Sequence, residues 1–142
     1  MSDVFSKSQR SYLMSKIKGK ETKSEILVRK YIFSKGFRYR KNVRKLPGTP
    51  DIVLSKYKTI IFIHGCFWHF HQKCKEGRLP KSNVAYWKVK LEKNVERDIK
   101  NTALLELMGW KVIVVWECEL KTVTLRKIRL EKVIQEIKNQ AV

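Results

Sequence analysis

The sequence predicts a single α/β domain, a central mixed β-sheet flanked by helices. Three observations predict it. Apolar residues recur at helical spacing, then in short strand-like runs, then at helical spacing again, in the order helix, three strands, helix, strand, helix. The chain has 142 residues, 43% of them hydrophobic, enough for one core without disulfide staples. No internal repeat, low-complexity stretch or Pro/Gly/Ser linker divides it. Two or three layers around one sheet are expected.

The elements follow in order. Residues 1–20 are polar and basic, with Met14 and Ile17 as scattered apolar anchors; they read as an arm, with a short helix over 8–17 that orders on a partner. Residues 21–142 form the domain. Thr22-Lys23-Ser24-Glu25 is a capping box opening a helix whose apolar face holds Ile26, Leu27, Tyr31 and Ile32, and Gly36 stops it. Residues 37–43 alternate apolar and basic, as an exposed strand does, and Leu46-Pro47-Gly48-Thr49-Pro50 is a rigid turn. Residues 51–54 and 59–64 are two strands joined by a short connection. Residues 65–82 have no period and read as a loop held by something other than packing. Ser82 is placed to cap a long helix over 83–108, with Trp87, Leu91, Val95 and Ile99 spaced by four and Gly109 ending it. Residues 110–116 are nearly unbroken apolar, the pattern of a strand buried on both faces. A last helix over 124–139 has Ile128, Val133, Ile134 and Ile137 as its apolar side.

Thirty-two Lys and Arg against thirteen Asp and Glu give a net charge of +19. Such an excess repels itself unless a polyanion compensates it, so nucleic acid is the expected partner. No apolar stretch follows the basic start, so no signal peptide is expected. The longest apolar runs, 60–63 and 112–116, fall far short of the roughly 20 residues of a membrane span. Three cysteines, an odd number, fit poorly with a disulfide-stapled protein and point to the cytoplasm.

The densest chemistry is His64-Gly65-Cys66-Phe67-Trp68-His69-Phe70-His71-Gln72-Lys73-Cys74, which carries all three histidines and two of the three cysteines. Cys66, His71, Cys74 and Cys118 make a Cys3His set suited to tetrahedral zinc with every position filled by protein, hence a structural ion. On spacing alone His69 can replace His71.

Pro50-Asp51 at the head of a strand resembles the start of the PD-(D/E)xK nuclease motif, whose carboxylate holds Mg2+ beside the scissile phosphate. The second half of that motif is missing: the strand over 59–64 carries no acid and no lysine and ends in His64. Asp51, His64, His69, Asp98 and Glu25 are the polar residues able to converge at one end of the sheet. Glu25 has the alternative of only completing its capping box, and Asp98 that of pairing with nearby cations on a solvated helix face.

Several segments together resemble the very short patch repair (Vsr) mismatch endonucleases: Arg10-Ser11-x-x-Met14, Leu46-Pro47-Gly48-x-Pro50-Asp51, Ile61-Phe62-x-His64-Gly65-Cys66-Phe67-Trp68-His69, Lys93-Asn94-Val95-Glu96-Arg97-Asp98, and Gly109-Trp110-x-Val112 through Trp116-Glu117-Cys118. Their order and spacing agree with that family to about residue 120. The resemblance implies a PD-(D/E)xK, restriction-endonuclease-like fold with a structural zinc site. It implies catalytic Mg2+ on Asp51 and the main-chain carbonyl of Ile63, His69 as the base that activates water, and His64, Asp98 and Glu25 around the metal's waters and the phosphate. Zinc falls to Cys66, His71, Cys74 and Cys118, which frees His69. Phe67 and Trp68 match an aromatic wedge at the mismatch, and Met14 the residue entering from the other side.

The implied activity is a nick 5′ of the thymine in a T:G mismatch left by 5-methylcytosine deamination. The implied setting is the bacterial cytoplasm, with a monomer acting on double-stranded DNA and with mismatch-repair proteins and a cytosine-5 DNA methyltransferase in the same pathway. A restriction-type or other sequence-specific endonuclease on the same scaffold is the alternative, followed by a non-catalytic zinc-containing DNA-binding module. The chain departs from the family after HGCFWH, where Phe70, Gln72 and Lys73 stand in a stretch often richer in histidine.

Overall fold

A computed structural model describes residues 22–139; the helix expected over 8–17, and Met14, lie outside them. The sheet is organised by β3 (Thr59–His64), in which all six residues are buried. It pairs antiparallel with β2 (Ile52–Leu54), which pairs antiparallel with β1 (Arg40–Lys41), and parallel with β4 (Lys111–Trp116), giving the order β1-β2-β3-β4. A parallel pair needs a long crossover, and here that is the loop after β3 followed by helix α2 (Val84–Leu107). Helices α1 (Lys23–Ser34) and α3 (Val123–Lys138) begin and end the described chain.

Side chains of β3 alternate between two cores, which explains its unbroken apolar sequence. Ile61 and Ile63 join Val28 and Ile32 of α1 and Leu130, Val133, Ile134 and Ile137 of α3 on one face. Ile60 and Phe62 join Val43, Val53 and Leu105 of α2 on the other. The result is three layers, helices–sheet–helix. No helix among the described residues is long and apolar enough to cross a membrane.

Four local expectations need correction. The strand over 37–43 shrinks to a two-residue ladder, because Phe37 and Val43 turn inward into the two cores. Among the described residues β4 is an edge strand, with Ile113 and Val115 buried and the alternate residues only partly so. Its apolar outer residues, Val112 and Val114, pack beside α2's core rather than under a further strand. Asn83, with φ +54 and no side-chain cap bond, precedes α2 in place of a Ser82 cap. Spacing by four drifts around a helix by about 40° per step, so Trp87 and Leu91 are buried whereas Ile99 is 65% exposed. In α3 the same correction puts Leu130 inside and leaves Ile128 60% exposed.

The parallel register sets the site. His64 pairs with Trp116, so the segments leaving β3 and β4 emerge side by side at one edge of the sheet.

Candidate active site and Cys/His cluster

Asp51 lies just before β2, and its Oδ2 accepts from the Ile63 amide on β3 at 2.7 Å. Its carboxyl group also interacts with that of Glu25 of α1. Burial, and then that interaction with Glu25, push the Asp51 carboxyl up to about 8, against the opposing pull of the Ile63 amide and Arg29. Two carboxyl groups in such contact hold either a proton or a cation between them. Glu25 serves its cap as well: its Oε2 accepts from the Thr22 amide at 2.8 Å, and Thr22 Oγ1 accepts from the Glu25 amide at 3.2 Å. The capping box fixes the carboxylate that meets Asp51, so the two readings of Glu25 are one arrangement. The structure links Ile63 to Asp51 through its amide.

His64 ends β3 with its ring buried, and its Nδ1 has no hydrogen-bond partner among the described residues. Burial first, and then the neighbouring His69, push it down to about 3, so it stays neutral. His69 stacks on it with ring centres 3.7 Å apart and planes 1° from parallel. His69 Nδ1 lies 2.6 Å from Asp98 Oδ2 on α2. These three residues have ligand-type atoms within 4.8 Å of one another, yet they do not fit a metal. Imidazole lone pairs lie in the ring plane, and a cation shared by parallel rings would sit out of both planes. The group is built to hold and orient a proton: Asp98 on Nδ1 leaves Nε2 as the acceptor.

Beyond Gly65 the loop curls so that Cys66, His71, Cys74 and Cys118 place their ligand atoms within 4.8 Å of one another. Cys118 Sγ stands 3.5 Å from His71 Nδ1. Tetrahedral zinc with Zn–S of about 2.3 Å and Zn–N of about 2.0 Å would hold those atoms roughly 3.5 Å apart, so the donor set fits zinc. The structure brings His71 to the sulfurs and His69 to Asp98. Burial pushes the Cys66 thiol up to about 12 and raises Cys118 as well. Thiols so reluctant to ionise need a cation to become ligands. The His71 ring stacks on Trp116 at 3.9 Å and 9°, and its amide donates to the Cys66 carbonyl at 2.8 Å. Phe70 takes a left-handed φ of +52.

A family model described as DNA mismatch endonuclease Vsr matches residues 2–76. The chain belongs to the Vsr family. The DNA mismatch endonuclease Vsr of Escherichia coli (strain K12) is 39% identical over 121 residues, covering 85% of this chain and 77% of that protein. The Type II nicking enzyme V.NmeAIP of Neisseria meningitidis serogroup A is 58% identical over 139 residues, 98% of this chain and 99% of its own length. The Type II nicking enzyme V.XorIIP of Xanthomonas oryzae pv. oryzae is 43% identical over 134 residues, 94% and 98% respectively. The protein is a DNA endonuclease.

In this Vsr-family chain one open cleft joins the Asp51–Glu25 pair to the His69–Asp98 pair, with Arg97, Asn101 and Glu117 also lining it. Phe67 and Trp68 stand beside it, partly buried, and neither is free-standing. Their rings meet edge to face at 5.1 Å, and both lean on Trp87 of α2 at 5.3 and 6.0 Å. Sequence reasoning treated Trp87 only as a core residue of its helix. It also missed Asn94, whose Nδ2 donates to the Trp68 carbonyl at 2.9 Å, although the Lys93–Asp98 motif held the signal. Gly77 was missed too. A Cβ there would lie 1.8 Å from the His71 carbonyl oxygen, a long-range approach that no local pattern announces.

Proposed function

We propose that this enzyme nicks one strand of duplex DNA on the 5′ side of the thymine in a T:G mismatch arising from 5-methylcytosine deamination. The observation that carries the reading is the opposition, across one cleft, of a buried carboxyl pair and a carboxylate-oriented histidine. Asp51, Glu25 and the Ile63 main chain are the groups to hold Mg2+, which when bound supplies Lewis-acid stabilisation of the phosphate. His69 Nε2 takes the proton of the attacking water. The water oxygen bonds to phosphorus, the P–O3′ bond breaks, and the leaving oxygen is protonated from solvent. Asp98 keeps the reactive tautomer and stabilises the imidazolium. Neutral His64 fixes the plane of the His69 ring by stacking, without adding a competing charge.

Zinc on Cys66, His71, Cys74 and Cys118 is structural in this reading. It shapes the loop bearing Phe67, Trp68 and His69. Phe67 and Trp68, braced by Trp87, enter beside the poorly stacked mismatch, where unstacking costs least. Residues 1–20 are the DNA-contacting arm, with Met14 entering from the opposite side, and 21–142 the endonuclease domain. The enzyme works as a monomer in the bacterial cytoplasm, alongside mismatch-repair proteins and a cytosine-5 DNA methyltransferase. Relatives named both mismatch endonuclease and nicking enzyme support single-strand cleavage.

Strand-labelled duplexes with and without one T:G pair, incubated with Mg2+, test the reading. A nick mapping 5′ of the mismatched thymine is expected. Double-strand cleavage of fully paired DNA would replace it with a restriction-type activity.

A further inference from the structure

The cleft is walled by acids. Glu25, Asp51, Asp98 and Glu117 line it, and the buried ring of His64 is neutral. Even with a proton or a cation between Asp51 and Glu25, Asp98 and Glu117 oppose a phosphodiester entering such a space, and the opposition grows as negative charge builds on the non-bridging oxygens in the transition state. Among the described residues that line the cleft there is one cation of the Lys/Arg type, Arg97.

Its position is fixed from both sides. Asn94, three residues earlier on α2, holds the Trp68 carbonyl at 2.9 Å, and Asp98, the next residue, holds His69 at 2.6 Å. The backbone carrying Arg97 is thus tied to the wedge loop and to the reacting histidine. The guanidinium itself makes no hydrogen bond or ion pair among the described residues, despite the surrounding carboxylates. Arg129 shows the contrast of a structural arginine here: it bonds Glu119, Glu136 and the Val114 carbonyl at 2.9 to 3.1 Å. A pinned stem with an uncommitted fork suits a ligand that arrives from outside and carries paired oxygens.

We propose that Arg97 is a further catalytic residue, whose guanidinium contacts the non-bridging oxygens of the phosphodiester being cut and stabilises the charge that accumulates on them. It acts through its charge and its N–H donors and takes no part in proton transfer. It fills the position left by the absent motif lysine from a helix instead of from a strand. The inference rests on the endonuclease reading above.

The experiment compares wild type, Arg97→Ala and Arg97→Lys in single-turnover nicking of a T:G duplex with Mg2+, and in binding to the same duplex without Mg2+. Arg97→Ala should nick about 10²–10³-fold more slowly, with binding weakened by about tenfold or less. Lysine, which keeps charge but not the fork, should recover part of the rate. Added methylguanidinium should restore nicking by Arg97→Ala in a saturable way, an effect no purely structural role would give. If wild type does not nick the T:G duplex, the proposed function fails. If wild type nicks and Arg97→Ala keeps its rate within about threefold, or loses rate only in step with binding and gains nothing from methylguanidinium, the role of Arg97 alone is overturned.

Discussion

Replacing Gly77 with alanine adds one methyl group against the backbone that carries His71. The new Cβ would lie 1.8 Å from the His71 carbonyl oxygen, 2.4 Å from its carbon and 3.0 Å from its nitrogen. Carbon and oxygen in ordinary contact stand about 3.5 Å apart, so the 71 and 77 segments must separate by well over an ångström. No flexible side chain can yield in their place. The φ of Gly77 is not among the left-handed ones, so the whole effect is steric. Overpacking of this kind costs about 1–3 kcal/mol, which in a chain of this length lowers Tm by roughly 3–10 °C. Because His71 moves with its carbonyl, the geometry of the Cys66, His71, Cys74 and Cys118 group is lost with it, and zinc content should fall from about one per chain toward zero. Gly109→Ala is the control: its φ is +94 but nothing lies within 4 Å, so it should cost only about 1 kcal/mol of backbone strain and keep its zinc. Metal analysis and thermal melts of the two variants decide the matter. Gly77→Ala with full zinc and a wild-type Tm would refute the close packing of this loop.

Other expectations follow from the same geometry. The raised Asp51 carboxyl stabilises the metal-free fold fully below its ordinary value of 3.8, and that stability is lost as pH rises through about 8. Asp51→Asn should remove this slope from metal-free urea melts between those values. At the proposed Mg2+ site the ion would have to displace the Asp51 proton, so isothermal titration should show affinity rising up to about tenfold per pH unit until about pH 8; a flat profile would contradict the shared proton. Asp98→Asn, which spoils the His69 tautomer, should lower single-turnover nicking by about 10²–10⁴-fold while DNA binding and zinc content stay at wild-type levels. Trp68→Ala should weaken binding to T:G duplex by about 1–3 kcal/mol and leave binding to paired duplex nearly unchanged; equal losses on both would remove the wedge.

Local chemistry made much of this legible in the sequence. The Thr22–Glu25 capping box is a contiguous signal, and it formed with both of its bonds. The apolar run of β3, bounded by polar residues, marked the strand over its full length. Clustering of Cys and His in residues 64–74 marks side chains of which three lie together with Cys118 in the fold. What spacing left open was set by tertiary contact. Whether His69 or His71 joins the sulfurs depends on α2 presenting Asp98 to one ring and on Trp116 stacking against the other. Whether 110–116 is a central or an edge strand depends on how many strands follow it, which no property of its own residues reveals. The contact of Asp51 with Glu25 joins a strand head to a helix start 26 residues away, and the approach of Gly77 to His71 exists only once the loop has closed.

The most direct test is single-turnover nicking of a strand-labelled T:G duplex by wild type and by Asp51→Asn, with Mg2+ and with folding and zinc content checked in both. Wild type should cut once, 5′ of the mismatched thymine, and Asp51→Asn should bind the duplex but leave it uncut. Undiminished nicking by Asp51→Asn would contradict a cleavage centre built on the Asp51–Glu25 pair.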